Sequence, residues 1–320
     1  MKPPFQINAE SLSLCTDIAL LVGKCEGLNI ALPQPKLRKQ NKIKTIQATL
    51  EIEGNNLSLE QVTALLEGKR VIGSSKDILE VQNAIKAYDK LSKYNVIDVN
   101  SFLSAHAILL DKIQDDAGKF RVSNVGVLKG STVSHVAPKY TMVLKLIDDL
   151  FSFMKKDQDV HVFVKSCVFH YEIEFIHPFT DGNGRMGRLW QTAILANSYP
   201  VFEFIPLESI IKENQVTYYD VLGRCDKKGD STEFIIFMLK IIWQTLNDFI
   251  LEAKPLTQTP ELRLEAAKNQ FKDSLFSRKQ YLALHKDIST ATASRDLLLG
   301  IKKDLLKKEG EKALTKYSFL

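Results

Sequence analysis

Residues 177–188 read His-Pro-Phe-Thr-Asp-Gly-Asn-Gly-Arg-Met-Gly-Arg, and most side chains in that run could serve a phosphate. Gly182, Asn183 and Gly184 can expose consecutive backbone N–H groups just ahead of a helix, whose N-terminus favours anions. Arg185 and Arg188 are three apart, so they share a helix face from which both can clamp phosphate oxygens. Asp181 can hold a divalent cation through oxygen, and Mg²⁺ typically bridges one carboxylate to substrate phosphates. His177 precedes the loop, where an imidazole can take a proton from an incoming hydroxyl near neutral pH. Phe179 is the apolar pin expected to bury the loop. Each residue alone has a plain structural explanation; their combination points to phosphate chemistry.

The elements that must position this run are mostly helical. Apolar spacing predicts helices over 9–27, 36–50, 75–91, 99–113, 140–155, 160–174, 184–197, 207–225 and 232–252. Ser58-Leu-Glu-Gln61 is a capping box that starts a further helix through Leu66. Breaks fall at Pro33-Gln-Pro35 and Glu53-Gly54-Asn55, and Pro255 to Pro260 reads as a linker. Val125–Leu128, a Gly130-Ser131 turn and Val133–Val136 read as a short β-hairpin.

The 177–188 string matches the Fic signature H-x-F-x-[DE]-G-N-G-R-x-x-R without departure, and the surrounding helices and hairpin also resemble that family. The resemblance implies an all-α fold: a Fic (Fido) helical core with a short β-hairpin flap, an N-terminal helical inhibitory region and a C-terminal winged helix-turn-helix. Domains are expected at 1–92, 93–254 and 261–320. It implies a protein adenylyltransferase, moving AMP from ATP to a Ser, Thr or Tyr hydroxyl of a target protein. His177 would be the general base and Asp181 would hold Mg²⁺. Gly182, Asn183, Gly184, Arg185, Met186, Gly187 and Arg188 would bind the ATP phosphates. Tyr218 and Tyr219 fall where the family lines the nucleoside pocket. The hairpin at about 125–136 would align the target by strand addition, with Arg121 anchoring its start.

Thr49-Leu-Glu-Ile-Glu53-Gly54 resembles the family's inhibitory motif, [ST]-x-x-x-E-[GN]. Carried over, Glu53 would engage Arg188 and deny it to the γ-phosphate, one carboxylate taking the place of a phosphate oxygen. Other readings of the same fold are removal of AMP, or transfer of another nucleotide or of phosphate. A reading from another class is a winged-helix DNA-binding regulator.

Composition sets the background. The 320 residues are 45% hydrophobic and 25% charged, ordinary for a globular protein. Cys15, Cys25, Cys167 and Cys225 form no C-x-x-C pair, so neither a zinc site nor a disulfide framework is suggested. His106, His161 and His170 read as structural residues. No signal peptide is evident, and the apolar run from Phe234 to Trp243 looks too short to span a membrane, so a cytoplasmic protein with no membrane partner is expected. From Glu261 to Leu320 thirteen Lys or Arg face eight Asp or Glu. That excess over 277–319 suits DNA, with Ser289 to Arg295 at the major groove and Lys307, Lys308, Lys312 and Lys316 on phosphate, although docking to protein or forming a homodimer fits the same module.

Overall fold

The computed structural model describes the chain except residues 1, 28–34, 130–131, 254–258, 273, 286–287 and 311–314, with the side chains of 127–135 also outside the description. It divides into two compact units, Met1–Ala253 and Lys254–Leu320. The first opens with α1 (Ala9–Gly27), α2 (Pro35–Ile52), α3 (Leu59–Leu66), α4 (Ser75–Tyr88) and α5 (Val99–Leu109). The hairpin β1 (Gly126–Lys129) and β2 (Thr132–Val136) follows, then α6 (Tyr140–Lys156), α7 (Val162–Ile176) and α8 (Asn183–Ser198). It ends with α9 (Leu207–Glu213), α10 (Gln215–Lys228) and α11 (Thr232–Glu252).

One hydrophobic core runs through this unit, from Ile18 and Ile46 in the N-terminal helices to Trp190 and Leu246. The regions expected at 1–92 and 93–254 therefore share a core. Expected boundaries shift where local geometry overrides periodicity. The helix expected over 207–225 is two, because Asn214 (φ −107°, ψ 24°) leaves helical geometry and caps α9. Helix α7 runs to Ile176, directly abutting His177. The capping box at Ser58 forms, with Gln61 reaching back to the Ser58 N–H at 2.8 Å. The 33–34, 130–131 and 255–258 positions of the expected breaks lie outside the described residues.

Helix α11 corrects the expectation that its apolar run is too short: at 21 residues it is long and apolar enough to cross a membrane by length and composition. The apolar pattern resumes beyond Lys240. Phe234, Ile235, Met238, Ile242 and Leu246 make it instead a helix with one face in the protein core, against α1 and α7.

Helices α7 and α8 form the scaffold of the 177–188 run. They pack closely because Gly187 has no side chain: a Cβ there would lie 2.6 Å from Cδ2 of His170. His170 cannot swing aside, since Nδ1 meets Gln191 at 2.7 Å and Nε2 meets Tyr218 at 3.0 Å. Burial lowers its pKa to about 3, so the ring is neutral.

The second unit holds α12 (Pro260–Phe271), β3 (Phe276–Ser277), α13 (Arg278–Leu284), α14 (Thr290–Lys302), β4 (Leu306–Glu309) and β5 (Lys316–Phe319). The strands form an antiparallel sheet in the order β3-β5-β4. Its small core centres on Phe276, Tyr281 and Leu297, and the buried Arg263–Asp296 pair (2.6 and 2.7 Å) joins α12 to α14.

Gly187→Ala gains helix propensity, about 1 kcal/mol, but forces a methyl against a pinned ring. The clash dominates, and thermal melting should report a net loss of about 1–3 kcal/mol.

Candidate active site

The 177–188 run begins with a strained residue. His177 is the C-cap of α7 in the left-handed region (φ 50°, ψ 58°), and its N–H bonds the Ile173 carbonyl at 3.0 Å. A non-glycine residue there costs about 1–2 kcal/mol, so neighbouring contacts must hold it. The ring Nδ1 lies 3.3 Å from the Glu174 carbonyl. With its proton on Nδ1, the imidazole has its basic lone pair on Nε2.

Arg121 supplies the main restraint. Its buried guanidinium donates to the His177 carbonyl (2.7 Å), the Ile176 carbonyl (3.3 Å), the Ser123 carbonyl (2.7 Å) and the Pro138 carbonyl (2.5 Å). The first two are the carbonyl end of α7, where a cation is favoured. The other two are the stalks of the β1–β2 hairpin. One side chain thus ties both ends of the hairpin to the backbone of His177, a wider role than anchoring its start. The hairpin itself is antiparallel, pairing Gly126 with Val136 and Lys129 with Thr132 around a bulge at Val127/Leu128.

Phe179 is fully buried and stacks on His106, ring centroids 3.6 Å apart. His106 accepts from the Gly118 N–H on Nδ1 (2.8 Å) and uses Nε2 on the Asp181 carbonyl (3.0 Å), which fixes the tautomer. Asn183 closes the loop on itself: its amide accepts from the Phe179 N–H (2.9 Å) and donates to the Phe179 carbonyl (3.0 Å). Gly182 then takes φ 83° as the N-cap of α8, and a Cβ there would sit 2.8 Å from Leu110. No side chain caps α8. The first helical bond of α8 is Met186 N–H to the Gly182 carbonyl, so the N–H groups of its first turn remain for an anion.

Asp181 is half-buried and ionised: burial raises its pKa, but the Arg185 charge and the Gly182 N–H outweigh this and lower it. Its Oδ1 accepts from Gly182 N–H at 2.6 Å and Oδ2 from Arg185 Nη2 at 3.0 Å. Arg185 is also bound to Glu80 (3.2 Å), whose other oxygen accepts from Asn55 (2.8 Å). Arg188 is 1% exposed. It donates from Nε to the Thr49 hydroxyl (2.9 Å), and from Nη2 to the Thr49 carbonyl (3.1 Å) and to Glu53 Oε1 (2.6 Å). Its Nη1, although buried, has no hydrogen-bond partner among the described residues. A Cβ on Gly184 would lie 2.6 Å from Glu53 Oε1 and 3.1 Å from that Nη1, so the glycine leaves a cradle between them.

Two residues of the run stand apart from this cradle. Met186 is buried in the core with its N–H in the helix ladder, and Gly187 faces His170, so neither offers a group to phosphate. The helix period that puts Arg185 and Arg188 on one face turns 186 and 187 to the other. Tyr218 is also internal, its hydroxyl on Glu174 at 2.9 Å, whereas Tyr219 remains 39% exposed. Glu80 and Asn55 carry no sequence signal of their own, since each acts through residues far away in the chain.

A helical core that presents such a loop at a helix N-terminus, beside a short hairpin, defines a class of proteins. The family model described as Fic/DOC family matches residues 96–195. A solved structure described as a Fic family protein from Desulfovibrio desulfuricans G20 is 33% identical, with 100% of this chain and 98% of that chain covered and a TM-score of 0.76. The chain belongs to the Fic family. Among curated relatives, "Protein adenylyltransferase Fic" of Nematostella vectensis is 29% identical across 69% of this chain and 51% of its own length. "Protein adenylyltransferase fic-1" of Caenorhabditis briggsae is 30% identical across 60% of this chain and 38% of its own length. The chain thus spans about half the length, or less, of the curated relatives it matches.

Arg121→Ala removes the tie between hairpin and loop. Stability should fall by at least about 1.5–3 kcal/mol, the worth of one hydrogen bond to a charged group. Amide exchange should rise first in 120–125 and 176–180, the segments it joins.

Proposed function

We propose that this chain is a protein adenylyltransferase held off by its own Glu53. The observation that carries the reading is the Arg188–Glu53 contact of 2.6 Å, set across the Gly184 cradle with Arg188 Nη1 still without an acceptor among the described residues. A carboxylate there occupies part of a seat with room for a phosphate oxygen. The relatives named protein adenylyltransferase support AMP transfer as the reaction.

The chemistry follows from the residues. The first-turn N–H groups of α8 bind the α- and β-phosphates of ATP, and Arg188 takes the γ-phosphate once Glu53 leaves. Tyr219, at the edge of the site, borders the nucleoside. A target segment pairs with the hairpin and brings its Ser, Thr or Tyr hydroxyl to His177. His177 Nε2 removes the hydroxyl proton as that oxygen attacks the α-phosphorus. The α–β anhydride bond breaks and pyrophosphate leaves. Positioning and fixed dipoles supply most of the rate.

Asp181 suits Mg²⁺, being an ionised oxygen ligand at the loop and partly open to solvent. Among the described residues no cluster of three His, Cys, Asp or Glu could hold a metal, which fits an ion held by one carboxylate and substrate phosphates. Bound there, the cation neutralises phosphate charge. The local balance calls for it, because Glu53, Glu80, Glu174 and Asp181 outnumber the two arginines.

We also read the second unit as a winged helix, with α13 and α14 as the helix pair and β4–β5 as the wing. Arg295, Lys307, Lys308 and Lys316 are exposed and suit DNA phosphate; Lys312 lies outside the described residues. Ser289 caps α14 through the Thr292 N–H (3.1 Å), as expected at a helix start. Binding to duplex DNA should then weaken steeply with salt, and no gel shift at low salt overturns this use of the wing.

His177→Ala should abolish transfer of label from α-³²P ATP, and transfer at the wild-type rate would falsify the base assignment. Glu53→Gly should raise self-labelling at least about tenfold, since loss of one charge-assisted bond is worth a factor of that order. Unchanged labelling would make Glu53 a helix-end residue only.

A further inference from the structure

Glu53 sits where it does because α2 closes in a Schellman motif. Gly54 takes φ 89°, and its N–H reaches the Glu51 carbonyl at 3.0 Å. The Asn55 N–H reaches the Leu50 carbonyl, also at 3.0 Å, which makes Glu53 the C-cap residue. The chain on either side of Glu53 is tied to other helices. Before it, Gln215 at the start of α10 donates to the Ile52 carbonyl at 3.1 Å, and Lys212 of α9 pairs with Glu51. After it, the Asn55 side chain is held at three points. Its Oδ1 accepts from the Leu57 N–H (3.1 Å), and its Nδ2 donates to the Asp77 carbonyl (3.1 Å) and to Glu80 Oε2 (2.8 Å).

Two acceptors face Nδ2 of Asn55 and one donor faces Oδ1, so only one orientation of the amide satisfies all three. Asn55 and Glu80 are both buried, and the other Glu80 oxygen accepts from Arg185 Nη1 at 3.2 Å. One buried carboxylate on α4 therefore joins the turn that carries Glu53 to an arginine of the 177–188 run. The Glu53 side chain is less enclosed, at 30% exposed. A side chain that open loses freedom when it settles on Arg188, and the loss is smaller when its backbone is already fixed.

Resting on the reading of Glu53 as a brake, we propose that Asn55 is a positioning residue for Glu53, fastened to the core by Glu80. Its part is to keep the C-cap turn seated on α4, which holds Glu53 on Arg188 Nη2. Loss of the Asn55–Glu80 contact frees the turn, lets Glu53 leave, and gives Arg188 to the γ-phosphate. The strength of the brake is thus set outside the Thr49–Gly54 string. Asn55 stands one residue beyond that string, and Glu80 lies on another helix. Arg185 holds Glu80 from the opposite side, so the fastening point of the brake is also a partner of the loop it restrains.

The test uses the full chain, with Asn55→Ala and Asn55→Asp each placed in the wild type and in Glu53→Gly. Asn55→Asp keeps the acceptor for the Leu57 N–H and puts an oxygen where the donor to Glu80 was. Affinities for Mg-ATP and Mg-ADP are measured by calorimetry, beside melting curves and self-labelling. With Glu53 present, each substitution should raise the ATP-to-ADP affinity ratio about tenfold, the worth of one hydrogen bond to a charged group, and self-labelling should rise with it. In Glu53→Gly neither should move the ratio, because the residue they act through is gone. A merely structural Asn55 lowers the melting point in both chains and leaves the ratio alone. An unchanged ratio in a folded variant with Glu53 present, or equal rises with and without Glu53, overturns the proposal; should Asn55→Asp not fold, Asn55→Ala decides. In a Glu80→Leu chain Asn55→Ala should add less than about twofold, and a second full step removes Glu80 as the fastening. Glu53→Gly alone should also raise the ratio. If it does not, the brake reading fails and the proposal with it, whereas a rise there and none in the Asn55 variants overturns the proposal alone. A shifted ratio without labelling marks a failure of AMP transfer as the reaction.

Discussion

Arg188 is a full positive charge almost completely removed from water, and much of the first unit is arranged around that fact. A buried guanidinium is tolerated only when its donors are met, because an uncompensated buried charge costs several kcal/mol. Thr49 meets its Nε edge and Glu53 meets one Nη. Glu174 adds negative charge nearby, and its Oε1 would lie 3.2 Å from a Cβ on Gly184. Among the described residues the same arrangement leaves Nη1 without an acceptor, beside a cradle that only a glycine keeps open. Structural need and capacity for an anion are two sides of one placement.

Arg185 is bound into the same region differently. Asp181 and Glu80 hold it, and Glu80 in turn holds Asn55, two residues after Glu53. Both arginines of the loop therefore communicate with the segment that ends α2, one through Thr49 and Glu53 and the other through Glu80 and Asn55. This explains why the N-terminal helices share a core with the rest of the unit. The end of α2 and the 177–188 loop are built from the same buried contacts, so α2 is integral to the fold.

His177 depends on a parallel arrangement on the other side of the loop. Its left-handed backbone is costly, and Arg121 holds the carbonyl while also gripping both stalks of the hairpin. The position of the hairpin and the position of the His177 backbone are thereby set by one side chain. Phe179 stacked on His106, and Asn183 bonded twice to Phe179, fix the loop between them. The loop is rigid from its own contacts before any substrate arrives.

The amino-acid sequence by itself determined the local parts. The spacing of His177, Asp181, Arg185 and Arg188, the Ser58 capping box, the hairpin strands and the helical pattern are all short-range, governed by period, capping and turn chemistry. It also identified Glu53 with Arg188, because both lie in motifs. The helix period already contained the correction for Met186 and Gly187, which follow the motif string but face the core. Tertiary structure alone decided what surrounds these parts. Glu80 reaches Arg185 across 105 positions and Arg188 reaches Thr49 across 139, and Tyr88 meets Glu208 across 120. Lone polar residues on amphipathic helices give no pattern that marks such partners. Only when the chain folds, and burial obliges most charges and hydroxyls to find partners, does it become settled which of them surround the loop.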